Sequence, residues 1–187
     1  VANHPLGGAD GIILIDYFSR FFDKVLFPVN DILMEVENMS DIFLPVNKHG
    51  SQSRVGAKLM EEALASDAQM LFFPAGLVSR KKKGGKIEDL EWKKHFITKA
   101  VKHNRDIVPI FITGRNSNFF YNLANLRSFF GIKANLEMLY LSDELFKQKG
   151  KKITIKVGKP LKSSIFDKSR TPEEWAKFVK DKVYNFL

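Results

Sequence analysis

The 187 residues contain no cysteine, which excludes disulfides, thiolate metal sites and a cysteine nucleophile. Histidine is scarce as well: the four residues lie at positions 4, 49, 95 and 103, none at a zinc-ligand spacing, so no metal is expected. No run of about eighteen apolar residues occurs, so no segment is expected to span a bilayer, and action on lipids would take place at a surface. Walker-type Gly-Lys-Ser or Gly-Lys-Thr is missing, which leaves a nucleotide-phosphate cradle without support. Internal repeats, low-complexity tracts and long linkers are also absent. Acidic side chains are outnumbered 21 to 30, giving a net charge of +9. That excess points to a polyanionic partner: an anionic membrane, an acidic protein, a nucleotide-bearing cofactor or nucleic acid.

What is present suits one soluble domain spanning 1–187, with 44% hydrophobic and 27% charged residues and an unusually large complement of 17 phenylalanines. The chain begins at Val1 and reaches its first motif almost at once, so a preceding segment, with an anchor or targeting signal, is expected. Short apolar runs alternate with segments of helical period. The pattern predicts an α/β fold with a mostly parallel central sheet of about six or seven strands flanked by helices. Strands are expected at 25–29, 42–46, 70–73, 107–113 and 153–157, with a further one ending at Val1-Ala2. Helices are expected at 10–22, 51–66, 92–104, 117–130, 136–149 and 171–186. The last has the clearest start, with Thr171 as cap, Pro172 in the first turn and Glu174 three residues after the cap.

Two stretches carry candidate chemistry. Asn3-His4-Pro5-Leu6-Gly7-Gly8-Ala9-Asp10-Gly11 puts an imidazole and a carboxylate on a glycine-rich turn, where His4 could take a proton near neutral pH and Asp10 could orient it. The second runs from a buried strand through Phe73-Pro74-Ala75-Gly76 into Ser79, Arg80, Lys81, Lys82, Lys83 and Lys86. It suits recognition of phosphate or carboxylate, with a solvated basic loop as the alternative; Glu88 and Asp89 could balance its charge. Phe119-Phe120-Tyr121 and Phe129-Phe130 read foremost as core packing and secondarily as acyl-chain or interface contacts. His95 and His103 read as surface residues, and His49 lies near the site only through its neighbourhood in sequence.

Taken together, these stretches resemble the glycerolipid acyltransferase family, which includes lysophosphatidic acid acyltransferases. Four ordered blocks carry the resemblance: Asn3, His4 and Asp10; Ile42-Phe43-Leu44-Pro45-Val46-Asn47; Phe73-Pro74-Ala75-Gly76; and Val108-Pro109-Ile110. Val157-Gly158-Lys159-Pro160 resembles the family's closing strand. The chain departs from the family pattern in three of these blocks. His4 and Asp10 enclose five residues rather than four, Ala75 replaces a Glu and Leu77-Val78 a Thr-Arg, and Asn47 stands where an Arg is expected. The branch that looks closest contains hemolysin-like proteins and enzymes acylating lyso-ornithine or lyso-glycine lipids.

The resemblance implies a glycerol-phosphate-acyltransferase-like fold and an O-acyltransferase of lipid biosynthesis. It implies His4 as general base and Asp10 as its partner. It also implies a substrate site including Asn47, Phe73, Pro74, Gly76, Ser79, Arg80, Lys81, Lys82 and Lys83, with backbone amides near Gly7, Gly8 or Gly76 as candidate oxyanion donors. The acceptor would be a lysolipid and the donor an acyl carrier protein or coenzyme A thioester, with no permanently bound cofactor. The implied setting is peripheral, on the cytoplasmic face of an anionic membrane. A catalytically impaired lipid-binding or hemolysin-like protein is the competing reading. Nucleic-acid binding lacks a recognised motif.

Overall fold

The computed structural model describes residues 1–29, 39–45 and 52–186. They form two compact units: Gly11–Phe72, and Val1–Asp10 together with Phe73–Leu187.

In the unit Gly11–Phe72, a parallel sheet has strand β1 (Val25–Val29) at its centre, flanked by β2 (Phe43–Pro45) and β3 (Gln69–Met70). Phe27 lies opposite Phe43, and Val25 opposite Gln69. Pro28 occupies the central strand without breaking a ladder: it sits beyond the last β3 pair, where no partner asks for its missing amide hydrogen. Helix α2 (Gln52–Ala65) closes over the sheet through Ala63 and Met60, which pack with Leu26, Leu44, Ala68 and Met70. Gly56 permits that approach, since a Cβ there would stand 2.5 Å from the Pro45 carbonyl oxygen.

The other unit contains the antiparallel hairpin β4 (Arg80–Lys81) and β5 (Ile87–Glu88), and the antiparallel pair β6 (Ile110–Ile112) with β7 (Ile155–Val157). Ala2 makes an isolated parallel bridge to Ile110. Among the described residues the parallel sheet therefore has three strands rather than six or seven. Pro74 follows β3 and Pro109 immediately precedes β6, where the missing amide donors do not extend the ladders, and the last strand returns antiparallel. The expected strand 42–46 is described only to Pro45, and the basic stretch thought irregular forms a short hairpin.

Helices α1 (Gly8–Phe18), α3 (His95–Lys102), α4 (Asn118–Phe129), α5 (Leu141–Phe146) and α6 (Pro172–Tyr184) complete the described elements, with 3-10 turns at Leu136–Tyr140 and Ser163–Ile165. The expected helix 136–149 is thus split. The anticipated capping box forms on α6: the Thr171 side chain accepts from the Glu174 amide at 3.2 Å, and Glu174 accepts from the Thr171 amide at 2.7 Å. Such a cap contributes about 1 kcal/mol. The inward stripe Trp175, Val179 and Val183 is buried as the periodicity requires.

Candidate active site

The His4 turn is assembled by short-range bonds that its glycines permit. Gly7 adopts φ +83°, and a Cβ there would also come within 2.8 Å of Leu141. The tightened chain brings Asp10, on the first turn of α1, back beneath His4, so that Nδ1 lies 3.0 Å from Asp10 Oδ2. The same oxygen accepts the Leu6 amide at 2.8 Å and the Gly7 amide at 3.0 Å. The fifth intervening residue is therefore accommodated within the turn, and the dyad contact is intact.

This bonding assigns the tautomer. With Oδ2 already accepting two amide hydrogens, the proton between imidazole and carboxylate belongs on Nδ1, leaving the Nε2 lone pair as base. Burial is the leading influence on Asp10 and raises its carboxyl above the ordinary range, against the opposing pull of His4, Leu6 and Gly7. Asp10 Oδ1 makes no hydrogen bond among the described residues.

Two longer-range contacts hold the loop. Asn3 pairs with the backbone of β6 in both directions, donating to the Ile112 carbonyl at 3.0 Å and accepting from its amide at 2.7 Å. Asp89, also fully buried, accepts the His4 amide at 3.1 Å, the Ser79 hydroxyl at 2.5 Å and the Trp92 indole at 2.8 Å. The Ser79 amide in turn donates to the His4 carbonyl at 2.8 Å. Asp89 therefore joins the start of the basic hairpin to the imidazole loop, well beyond the charge-balancing role its sequence position suggested. Its own amide donates to the Tyr184 hydroxyl at 2.7 Å. Burial, followed by the Asp89 charge, raises the Tyr184 phenol, so it stays protonated near neutral pH.

Of the other anticipated residues, Phe73 stacks on the His4 ring with centroids 4.2 Å apart. Pro74 is buried, and its carbonyl accepts from Lys93 at 3.0 Å. Gly76 adopts φ +66° and spends its amide on the Phe73 carbonyl at 2.9 Å. Asn47 and His49 lie outside the described residues. Ser79 lines a cavity of about 180 Å³ together with Asn3, Pro5, Ile112, Thr113 and Tyr184. Lys82 reaches Glu88 at 3.1 Å, while Lys81 and Lys83 lie in the hairpin with Lys83 exposed at its turn. Arg80 is already engaged: its guanidinium donates to Glu137 at 2.6 Å and to the Val78 carbonyl at 2.7 Å. Arg127 holds the other Glu137 oxygen at 2.9 Å.

Sequence reasoning missed Asp89 as an organising acid and Glu137 as the partner of Arg80. The contacts that give them these roles, Asp89 with His4 and Glu137 with Arg80, span 85 and 57 residues, so no local signal carries them.

An imidazole held by a buried carboxylate, with its second nitrogen available, defines a site for activating a hydroxyl. The acyltransferase family model matches residues 1–187. The chain belongs to that family. It is 50% identical over 185 residues to proteins named lyso-glycine lipid O-acyltransferase from Phocaeicola vulgatus and Bacteroides thetaiotaomicron. The match takes in 98% of this chain but 66% and 68% of those relatives, so the chain spans about two thirds of their length. The fold is similar to that of the 1-acyl-sn-glycerophosphate (LPA) acyltransferase PlsC from Thermotoga maritima, at TM-score 0.56 and 18% identity. That likeness covers 99% of this chain and 64% of that one.

Proposed function

We propose that the chain is the acyltransferase domain, spanning 1–187, of an enzyme that moves a fatty acyl group from a thioester onto the hydroxyl of a lysolipid. The observation that carries this reading is the 3.0 Å contact between His4 Nδ1 and a buried Asp10 that also takes two amide hydrogens. In this mechanism His4 Nε2 removes the acceptor hydroxyl proton as that oxygen attacks the thioester carbonyl. Asp10 stabilises the imidazolium that results. As the tetrahedral intermediate collapses, the carbon–sulfur bond breaks, an ester remains and His4 returns the proton to the leaving thiolate. No acyl-enzyme is required, consistent with a chain that has no cysteine.

The oxyanion needs a donor that is not already committed. Gly7 and Gly76 spend their amides on Asp10 and Phe73, whereas Gly8, the first residue of α1, is exposed at a helix start whose dipole favours negative charge. We assign the Gly8 amide this role. Phe73 fixes the ring plane by stacking, and Pro74, Gly76 and Ser79 shape the turn leading into the hairpin. Lys81, Lys82 and Lys83 complete the described part of the substrate site, facing the phosphate of an acyl carrier protein or coenzyme A donor. Arg80 supports that hairpin through Glu137 and contributes to anion binding only secondarily.

The acceptor is a lyso-aminolipid, of the lyso-glycine or lyso-ornithine kind, in preference to lysophosphatidate. Ala75 in place of an acid and the names of the two relatives support this choice. The reaction is placed at an anionic membrane surface on its cytoplasmic face. An intact dyad contact favours transfer over a catalytically silent lipid-binding protein.

The test is turnover of lyso-glycine lipid and of lysophosphatidate by the full-length protein, with acyl carrier protein and coenzyme A thioesters compared as donors. His4→Ala is expected to lower acyl transfer about 10³-fold, within the range of a general base, with its melting temperature retained. Undiminished transfer by that variant would remove the mechanism. Equal turnover of lysophosphatidate would remove the assignment of the acceptor.

A further inference from the structure

Helix α4 is apolar on two opposite sides. Phe120, Tyr121 and Ala124 are buried, and Phe120 and Tyr121 pack with Val78, Met138 and Leu141. Phe119, Leu126 and Phe130, spaced seven and four residues apart, fall on one stripe of the other side, and all are exposed. Phe129, next to that stripe, is 83% exposed. A helix that needed only to bury one face would carry charge on the other. Here the sole charged residue of α4 is Arg127, and it turns inward to Glu137.

The exposed surface continues beyond the helix. Phe119 meets Tyr140 edge to face at 5.0 Å, joining α4 to the segment that presents Leu139 at 78% and Phe146 at 77% exposure. Contiguous exposure of this kind marks an interaction site rather than ordinary surface. The charges beside it have one prevailing sign. Lys133, Lys149, Lys151 and Lys152 are exposed and make no ion pair among the described residues. Of the acids between 118 and 152, Glu137 and Glu144 are buried in ion pairs, leaving Asp143 exposed.

We infer that this face, formed by α4 and the segment 130–146, docks on an anionic lipid bilayer with the aromatic and leucine side chains inserted and the lysines at the headgroups. Apolar insertion combined with cationic attraction is what an interfacial element requires. A second copy is disfavoured as the occupant, because an isologous pairing would bring the two lysine clusters together. Among the described residues no helix is long and apolar enough to cross a membrane. The inference deepens the proposed reading by assigning the membrane contact to a particular face, and its test does not depend on turnover.

The experiment is cosedimentation of the full-length protein with vesicles of equal parts phosphatidylcholine and phosphatidylglycerol, against phosphatidylcholine alone. The double variants Leu139→Ser with Phe146→Ser, and Phe129→Ser with Phe130→Ser, are each expected to weaken partitioning at least about tenfold without lowering the melting temperature. Lys133→Glu with Lys149→Glu should reduce only the phosphatidylglycerol-dependent part, by about fivefold or more. The first double variant should also retain turnover of a monomeric, water-soluble lysolipid, which separates docking from chemistry.

A second measurement uses the absence of cysteine in these 187 residues. A polarity-sensitive dye on Phe146→Cys should shift to the blue on the mixed vesicles, and one on Lys177→Cys, exposed on α6, should not. Wild-type partitioning by both apolar variants, or equal shifts at the two dye positions, would overturn the inference. So would a dimer that the apolar variants disperse while vesicle binding stays intact. If the unsubstituted protein docks through this face yet transfers no acyl group, the enzymatic reading fails and the docking face stands.

Discussion

Asp10 and Glu137 are both fully buried carboxylates, and they are compensated in opposite ways. Glu137 has a guanidinium on each oxygen, Arg80 at 2.6 Å and Arg127 at 2.9 Å. Asp10 gathers one imidazole and two amides on a single oxygen, while the other has no partner among the described residues. Glu137 is thus satisfied by full charges in the resting molecule. Asp10 gains a full opposite charge only when the imidazole takes a proton. An interaction that strengthens when charge develops accelerates a reaction, whereas one already complete in the ground state serves the fold.

Asp10→Asn is the sharpest way to break this comparison. It keeps the size of the side chain and an acceptor for the Leu6 and Gly7 amides, but removes the charge awaiting the imidazolium. Acyl transfer should fall about 10³-fold, equivalent to about 4 kcal/mol of transition-state stabilisation. Stability should move the other way or not at all. Because burial raises the Asp10 carboxyl in the folded chain, the ionised form costs stability at neutral pH. That cost is absent below the unfolded-state pKa and complete above the raised folded value. The asparagine variant should therefore melt at or above the parent temperature near pH 7, with the advantage shrinking as the medium is acidified. A variant that loses stability while keeping its turnover per folded molecule would show Asp10 to be another Glu137.

Glu137→Gln should give the reverse pattern. Removing the charge leaves Arg80 and Arg127 mostly buried without their shared partner, a loss of about 3 kcal/mol that would lower the melting temperature by roughly 9 °C. Turnover per folded molecule should stay near the parent value. A rise in KM for the acyl donor at unchanged stability would instead free Arg80 from its structural role and return it to the substrate site.

The contrast between these two acids also marks what could be read from the residues in order. His4 and Asp10 are six positions apart with glycines between them, so their contact and the turn that delivers it are local, and both were legible. The Thr171, Pro172 and Glu174 cap was legible for the same reason. Glu137 and Asp89 were not, because the Arg80 and His4 contacts that define their roles reach 57 and 85 residues along the chain, and only folding makes the juxtaposition. Apolar runs near 107–113 and 153–157 announced strands but carried no sign of direction, and β6 and β7 pair antiparallel. Helix α4 read foremost as core because its aromatics are dense. The structure buries Phe120 and Tyr121 and exposes Phe119, Phe129 and Phe130, a division that density alone does not encode.

The smallest effect sharpens the comparison from the cationic side. Arg80 is held by Glu137, whereas Lys82 shares an exposed contact with Glu88 and Lys83 sits exposed at the hairpin turn. A fixed guanidinium acts through geometry, and exposed ammonium groups act through local potential, which salt screens. Lys82→Ala with Lys83→Ala should therefore raise KM for an anionic acyl donor about threefold at low ionic strength, leaving kcat and melting temperature unchanged. In about 1 M salt the Debye length is near 3 Å, and parent and variant should converge. A difference that persists there would mean that these lysines bind the donor at close range, as Arg80 binds Glu137, rather than drawing it to the site.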